Sequence, residues 1–91
     1  MIWQEAAQEV ANEIVELITR KQHDYGHENI LAFGEYGLLI RTNDKIARLK
    51  NLIGKEGVTE PRSDAWVDIA GYAIIALMLD RGTFTLPLEE E

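Results

Sequence analysis

The sequence predicts an all-α fold, a small helical bundle of three main helices completed by homo-oligomerisation. Three observations carry that expectation. Apolar residues recur at helical spacing over three long stretches, and no stretch alternates polarity as a half-buried strand would. Breakers mark the ends of these stretches at Gly26, at Gly54, Gly57 and Pro61, and at Gly82. A chain of 91 residues makes one domain with a modest core. Three helices of this kind carry more apolar stripe than they can cover among themselves, so a homo-oligomer is expected. The domain is assigned to residues 1–82, followed by an acidic extended tail over 83–91.

The first helix is expected from Ile2 to Lys21. Trp3, Ala7, Val10, Ile14, Leu17 and Ile18 recur on one side, and Glu5, Glu9, Glu13 and Glu16 fill the other. Arg20 and Lys21 in the last turn suit the negative end of the helix dipole. The chain then enters the polar turn His23-Asp24-Tyr25-Gly26.

Asn29 is placed to cap a short or kinked segment with Ile30, Leu31 and Phe33 on its apolar side. Gly34 and Gly37 weaken helix there. The second main helix runs from about Leu38 to Ile53, with Leu39, Ile46, Leu49 and Ile53 as its stripe and Gly54 as its stop. Arg41, Asp44 and Arg48 share another face of it.

The third helix follows a connection from Lys55 to Arg62. Thr59 or Ser63 is positioned to cap it, and Pro61 is tolerated in its first turn. From Ala65 to Leu79 apolar residues surround the axis, so it reads as the central, buried helix, ending at Asp80-Arg81-Gly82. Trp3 and Trp66 lie on apolar faces and are assigned to the core.

Composition narrows the function classes. Net charge is −7 and the pI about 4.7, with cations scattered among acids. That argues against polymeric nucleic acid, which needs a basic stripe, and leaves small anions. With no cysteine there is no disulfide, zinc-thiolate site or thiol nucleophile. The apolar run from Ile69 to Leu79 is far shorter than the roughly 20 residues of a spanning helix. Residues 1–20 carry Glu5 and Glu9 and no uninterrupted apolar run, so no signal peptide is expected there. A cytoplasmic protein without a membrane partner is expected.

Three clusters could carry chemistry. Glu60, Asp64 and Asp68 follow each other at four-residue spacing, which stacks them on one helical face. Such carboxylates can share Mg²⁺ or Mn²⁺, hard cations that prefer oxygen ligands. Glu60 and Asp64 also suit a first helical turn simply as acids at the positive end of the dipole. Asp68, inside the apolar stretch, needs a metal or a cation from Arg41, Lys45 or Arg48. The second cluster is Arg41, Asp44, Lys45 and Arg48. It reads either as phosphate-gripping cations beside a further metal ligand or as a solvated face of ion pairs. The third is the loop with Lys21, Asp24, Tyr25 and Asn29, dense enough in polar groups to contact a base or sugar. Glu35 falls near the Leu39 and Ile46 stripe and is a further candidate ligand.

The order Lys21-x-x-Asp24-Tyr25-Gly26, Arg41-x-x-Asp44-Lys45-x-x-Arg48-Leu49, then Glu60-x-x-x-Asp64-x-x-x-Asp68-Ile-Ala-Gly-Tyr72 resembles the nucleotide-modification-associated domain. That domain is found largely in bacteriophages and looks like a divergent relative of the MazG-type all-α nucleotide pyrophosphohydrolases. The resemblance implies a helical bundle assembled as a dimer or tetramer. It implies Mg²⁺ held by Asp44, Asp64 and Asp68, with Glu35 as a further candidate ligand on the earlier helix. It implies a nucleoside triphosphate bound through its phosphates, with Lys21, Asp24, Tyr25, Asn29, Arg41, Lys45 and Arg48 around it. Glu60 would be a ligand or the base for water in cleavage between the α and β phosphates. This chain departs from the MazG pattern, which pairs glutamates on the earlier helix and uses Glu-x-x-Asp on the later one. The departure leaves nucleotide binding without turnover as the alternative, beside a purely structural oligomer.

Overall fold

The computed structural model describes residues 1–89; Glu90 and Glu91, the end of the expected tail, lie outside the described residues. The chain forms α1 (Trp3–Tyr25), α2 (Glu28–Leu31), α3 (Gly34–Asn51) and α4 (Ser63–Arg81), with no strand among the described residues. This is the expected all-α class, with three long helices and one short one.

The helix boundaries move for local reasons. α1 runs a turn past Lys21 because its end is doubly tied: the Gly26 amide donates to the Gln22 carbonyl at 2.8 Å, and the Gln22 side-chain amide donates to the Gly26 carbonyl at 2.7 Å. Asn29 does not cap. It lies within α2, whose N-cap residue is His27, and no side chain caps that helix. α3 begins at Gly34, four residues before Leu38, where a positive φ of 57° turns the chain out of α2 and straight into helix. α4 begins at Ser63 without a cap from Thr59 or Ser63. Its first amides go instead to backbone: Asp64 to the Pro61 carbonyl at 3.1 Å and Ala65 to that of Arg62 at 3.2 Å.

α3 and α4 form the main hairpin, α2 packs on α3, and α1 crosses α4. The connection between α3 and α4 is tied to the end of α3 by two arginines. Arg48 donates to the carbonyls of Glu60 at 2.7 Å and Pro61 at 3.3 Å, and Arg62 donates to that of Leu49 at 3.1 Å. The Glu60 and Leu49 carbonyls, which no helix ladder reaches, are satisfied in this way.

The core differs from the expected one. Ile30, Leu38 and Phe84 are buried together, with Tyr72, Ile75, Met78 and Leu79 packed against them. Phe84 belongs to the segment expected to trail away. Instead Gly82 adopts a left-handed conformation, the Thr83 amide donates to the Met78 carbonyl at 2.9 Å, and the chain folds back. The Phe84 ring then meets His27 edge-on, with centroids 5.2 Å apart. Leu38 and Leu49 are the buried residues of α3, while Leu39, Ile46 and Ile53 of the expected stripe are exposed. The inward face is the one that carries Lys45 and Arg48, both of which find partners there. Nor is α4 buried all round within one chain: Ala65 and Gly71 are, but Trp66 and Leu77 are exposed, as is Trp3 on α1. From Trp3 to Glu13, α1 is exposed on every side.

Phe84→Ala should therefore cost about 3 kcal/mol, the loss of a buried ring plus the cavity it leaves. Val58→Ala, at a fully exposed position, should stay within about 0.5 kcal/mol of wild type. Urea melts compare the two; equal midpoints would remove Phe84 from the core.

Candidate functional site

The site starts from the crossing of α1 over α4. A Cβ on Gly71 would lie 2.8 Å from Ile18 Cγ2, closer than side-chain carbons approach. Glycine inside a helix costs roughly 0.5–1 kcal/mol relative to alanine. Here its missing side chain lets the two helices touch. Beside this contact α1, α3 and α4 diverge and leave a cleft of about 370 Å³, within the size range of small-ligand sites.

α1 contributes Lys21, Gln22 and Tyr25 to the cleft, α2 contributes Asn29, α3 contributes Arg41, and α4 contributes Asp68 and Tyr72. Leu17, Ile30 and Ile75 add apolar wall. The Asn29 Oδ1 atom is buried without a hydrogen-bond partner. Arg41 has no ion pair or hydrogen bond from its guanidinium among the described residues.

Asp68 is the electrostatic centre. Its Oδ2 lies 2.9 Å from Lys45 Nζ and its Oδ1 3.3 Å from Lys21 Nζ, with the carboxylate side chain only 15% exposed. Burial by itself would push the Asp68 carboxyl up. The hydrogen bond from Lys45 and the charges of Lys21 and Lys45 outweigh it and hold the group below the usual carboxylate range. The Asp68 carboxylate in turn lifts the Lys45 ammonium above its ordinary value, against the opposing effect of burial. One side chain thus joins α1, α3 and α4.

The sequence-predicted residues divide into those gathered here and those that are not. Lys21, Tyr25, Asn29, Arg41 and Asp68 line the cleft, and Lys45 reaches it through Asp68. Asp24 points to solvent beside His23. Arg48 is occupied by the Glu60 and Pro61 carbonyls, so it holds the loop rather than facing the cleft. Glu60 offers that backbone carbonyl, while its side chain is exposed. Asp44 and Glu35 are exposed on α3, and Asp64 is half-buried in the first turn of α4. Asp64 and Asp68 do not converge with Asp44. Among the described residues no three acids or histidines lie close enough together to hold a metal ion. Both Asp68 oxygens already face ammonium groups.

Gln22, Gly71 and the wall residues were not singled out from sequence as site residues. Gly71 carried a signal, since a glycine amid helix-forming residues marks a close approach. Gln22 carried none, because its position on the cleft side follows from the crossing angle.

No protein-family model matches the chain, and no curated protein or solved structure is detectably similar to it. No helix of the described residues is long and apolar enough to cross a membrane.

Asp68→Asn tests the clamp. It keeps the shape and leaves Lys45, half-buried, without its counter-charge. At pH 7 and without metal the variant should lose about 1.5–3 kcal/mol, the range for hydrogen bonds to charged groups. The sign with pH follows from the directions above. A lowered Asp68 value contributes stability above the unfolded carboxyl pKa of about 3.9, and this is lost as pH falls through the folded value. A raised Lys45 value contributes fully below about 10.4 and is lost as pH rises through its folded value. Urea melts of both proteins in EDTA from acid to alkaline pH should thus differ most in the middle of the range. Superimposable curves would mean the clamp contributes nothing.

Proposed function

We propose that the chain binds a nucleotide in the cleft between α1, α3 and α4, without catalysing its hydrolysis. One observation carries the reading: residues from three separated sequence motifs, Lys21 and Tyr25, Arg41, and Asp68 with Tyr72, line the same cleft. The cleft lining carries two cations, Lys21 and Arg41, against the single carboxylate of Asp68, a positive balance on a chain of net charge −7. Phosphate oxygens suit Arg41, which has no partner among the described residues and whose planar fork can bond two of them at once. A base suits the opposite chemistry of the site, the Tyr25 and Tyr72 rings and the Ile30 and Ile75 wall. Asn29 lines the cleft and its buried amide oxygen has no hydrogen-bond partner among the described residues, which supports a ligand that brings a donor.

Hydrolysis is left out of the proposal because phosphoryl chemistry of the MazG kind needs a gathered set of metal-holding acids, and Asp44, Asp64 and Asp68 do not form one in a single chain. A binding module that sequesters a nucleotide, senses it or presents it to a modifying enzyme is the consistent role. The structural reading has one observation in its favour, the full occupation of Asp68 by Lys21 and Lys45. It leaves Arg41 and the cleft without a purpose.

Nucleoside mono- and triphosphates should be screened for thermal stabilisation in EDTA and again with Mg²⁺ or Mn²⁺, with pyrophosphate release followed in parallel. The expected result is stabilisation in EDTA, on the order of 10 °C at about 100-fold excess over Kd, without pyrophosphate. Arg41→Ala should weaken binding at least about tenfold, the equivalent of one charge-assisted bond, and leave the unliganded melting temperature unchanged. Stabilisation only with metal, accompanied by pyrophosphate, would replace this reading with the hydrolase. No stabilisation under any condition would leave the structural oligomer.

A further inference from the structure

The cleft does not end at Arg41. A second recess of about 270 Å³ opens beside it, over the turn from α2 into α3, against about 370 Å³ for the cleft itself. The two have Asn29, Ile30 and Arg41 in common, so these residues form a shared wall. Away from that wall the recess is apolar, lined by Phe33, Leu38 and Ile40, while Gly34 and Gly37 add backbone without side chains. Phe33, Gly37 and Arg41 follow at four-residue spacing and so lie in one row along the start of α3. A Cβ on Gly37 would lie 2.8 Å from that of Phe33, so the glycine makes room for Phe33 against the helix. Phe33 is nonetheless 71% exposed and lies outside the core.

The polar groups without partners lie on the shared wall. Asn29 Oδ1 is buried with no hydrogen-bond partner, and the Arg41 guanidinium has none among the described residues. On one side of the wall stand the Tyr25 and Tyr72 rings, and on the other stands Phe33. A ligand complementary to this order has an anionic middle and a flat, stacking group at each end. A mononucleotide supplies the middle and one end, and leaves Phe33 bare. A triphosphate adds charge to a lining that holds two cations, Lys21 and Arg41, and still brings one base. Two nucleosides joined through phosphate supply all three parts. The linking phosphate meets the Arg41 fork, a sugar hydroxyl or base amino group donates to Asn29, and each base stacks on its own aromatic side.

On the reading that the cleft takes a nucleotide, we infer that its ligand is a dinucleotide, with the phosphate linkage at Arg41, one base between Tyr25 and Tyr72 and the second on Phe33. Joining the second nucleoside to the first makes its binding intramolecular, so the weak site on an exposed ring adds to the affinity of the whole. Phe33 is then a binding residue for the second base and has no part in holding the first.

Titration calorimetry in EDTA should compare each ribonucleoside monophosphate with the matching dinucleoside monophosphate and pyrophosphate-linked dinucleotide, for adenine, guanine, cytosine and uracil. Wild type and Phe33→Ala are titrated side by side. Because Phe33 is exposed, the variant should keep the wild-type melting temperature and circular dichroism. At least one dinucleotide should bind wild type about fivefold or more tighter than its mononucleotide, the lower end of what stacking one base contributes. Phe33→Ala should remove that gain and leave the mononucleotide affinity unchanged. An octanucleotide of the same base should bind no more tightly than the dinucleotide. Mononucleotide binding with no gain from a second nucleoside, or a gain that survives Phe33→Ala, overturns the dinucleotide and leaves the nucleotide cleft standing. An octanucleotide bound about tenfold tighter or more overturns it in favour of a polymer. No binding by any nucleotide overturns both the dinucleotide and the nucleotide cleft.

Discussion

The arrangement of this molecule depends on where a carboxylate can find counter-charge inside an apolar helix. Asp68 occupies the first half of α4, in the stretch with the fewest polar neighbours of the whole chain. Water reaches it poorly, so an ionised Asp68 requires cations brought to it by other helices. Lys45 supplies one from α3 and Lys21 the other from α1. The rotation of α3 about its own axis follows from that demand. Turning Lys45 and Arg48 inward toward α4 and its preceding loop necessarily turns Leu39 and Ile46 outward, since they lie on the other side of the same helix. An electrostatic requirement on one residue thus leaves an apolar face uncovered elsewhere.

The same fact explains what could be read from the sequence and what could not. Helix periods, the breakers at Gly26, Gly54 and Gly82, and the lack of strand alternation are local signals, and the all-α class follows from them. That Asp68 needs a metal or a cation was also legible, because the need arises from its sequence neighbours. Lys45 was among the named candidates; Lys21 was not, because its reach to Asp68 depends on the crossing of α1 over α4. The expected stripe of α3 was misassigned because hydrophobicity alone ranks Leu39 and Ile46 as core, whereas pairing charges decided the rotation. Phe84 was missed for a similar reason. The residues around it look like a tail, and only the left-handed turn at Gly82 returns the ring to the core.

Of the site, the part that lies on helix faces was visible: Lys21, Tyr25, Arg41 and Asp68 carried recognisable spacing. The acids fared differently. Glu60, Asp64 and Asp68 share a face by number, yet Glu60 precedes α4 and never joins the helix, so the four-residue spacing does not hold there. Asp44, assigned to the site with Arg41 and Arg48, lies on α3 at an exposed position. Spacing arguments hold only while the helix does, and they place side chains on a face without saying what faces them.

The close contact at Gly71 gives α1 a mechanical character. Ile18 rests on a glycine with no side chain to grip, Lys21 one turn later fastens the helix to Asp68, and everything before Glu13 is exposed, so α1 has the geometry of a lever on a fulcrum. The span from the fulcrum to Trp3 is about twice that to Tyr25, given the constant rise of a helix. A displacement at the long end therefore reappears at the cleft reversed in direction and about halved.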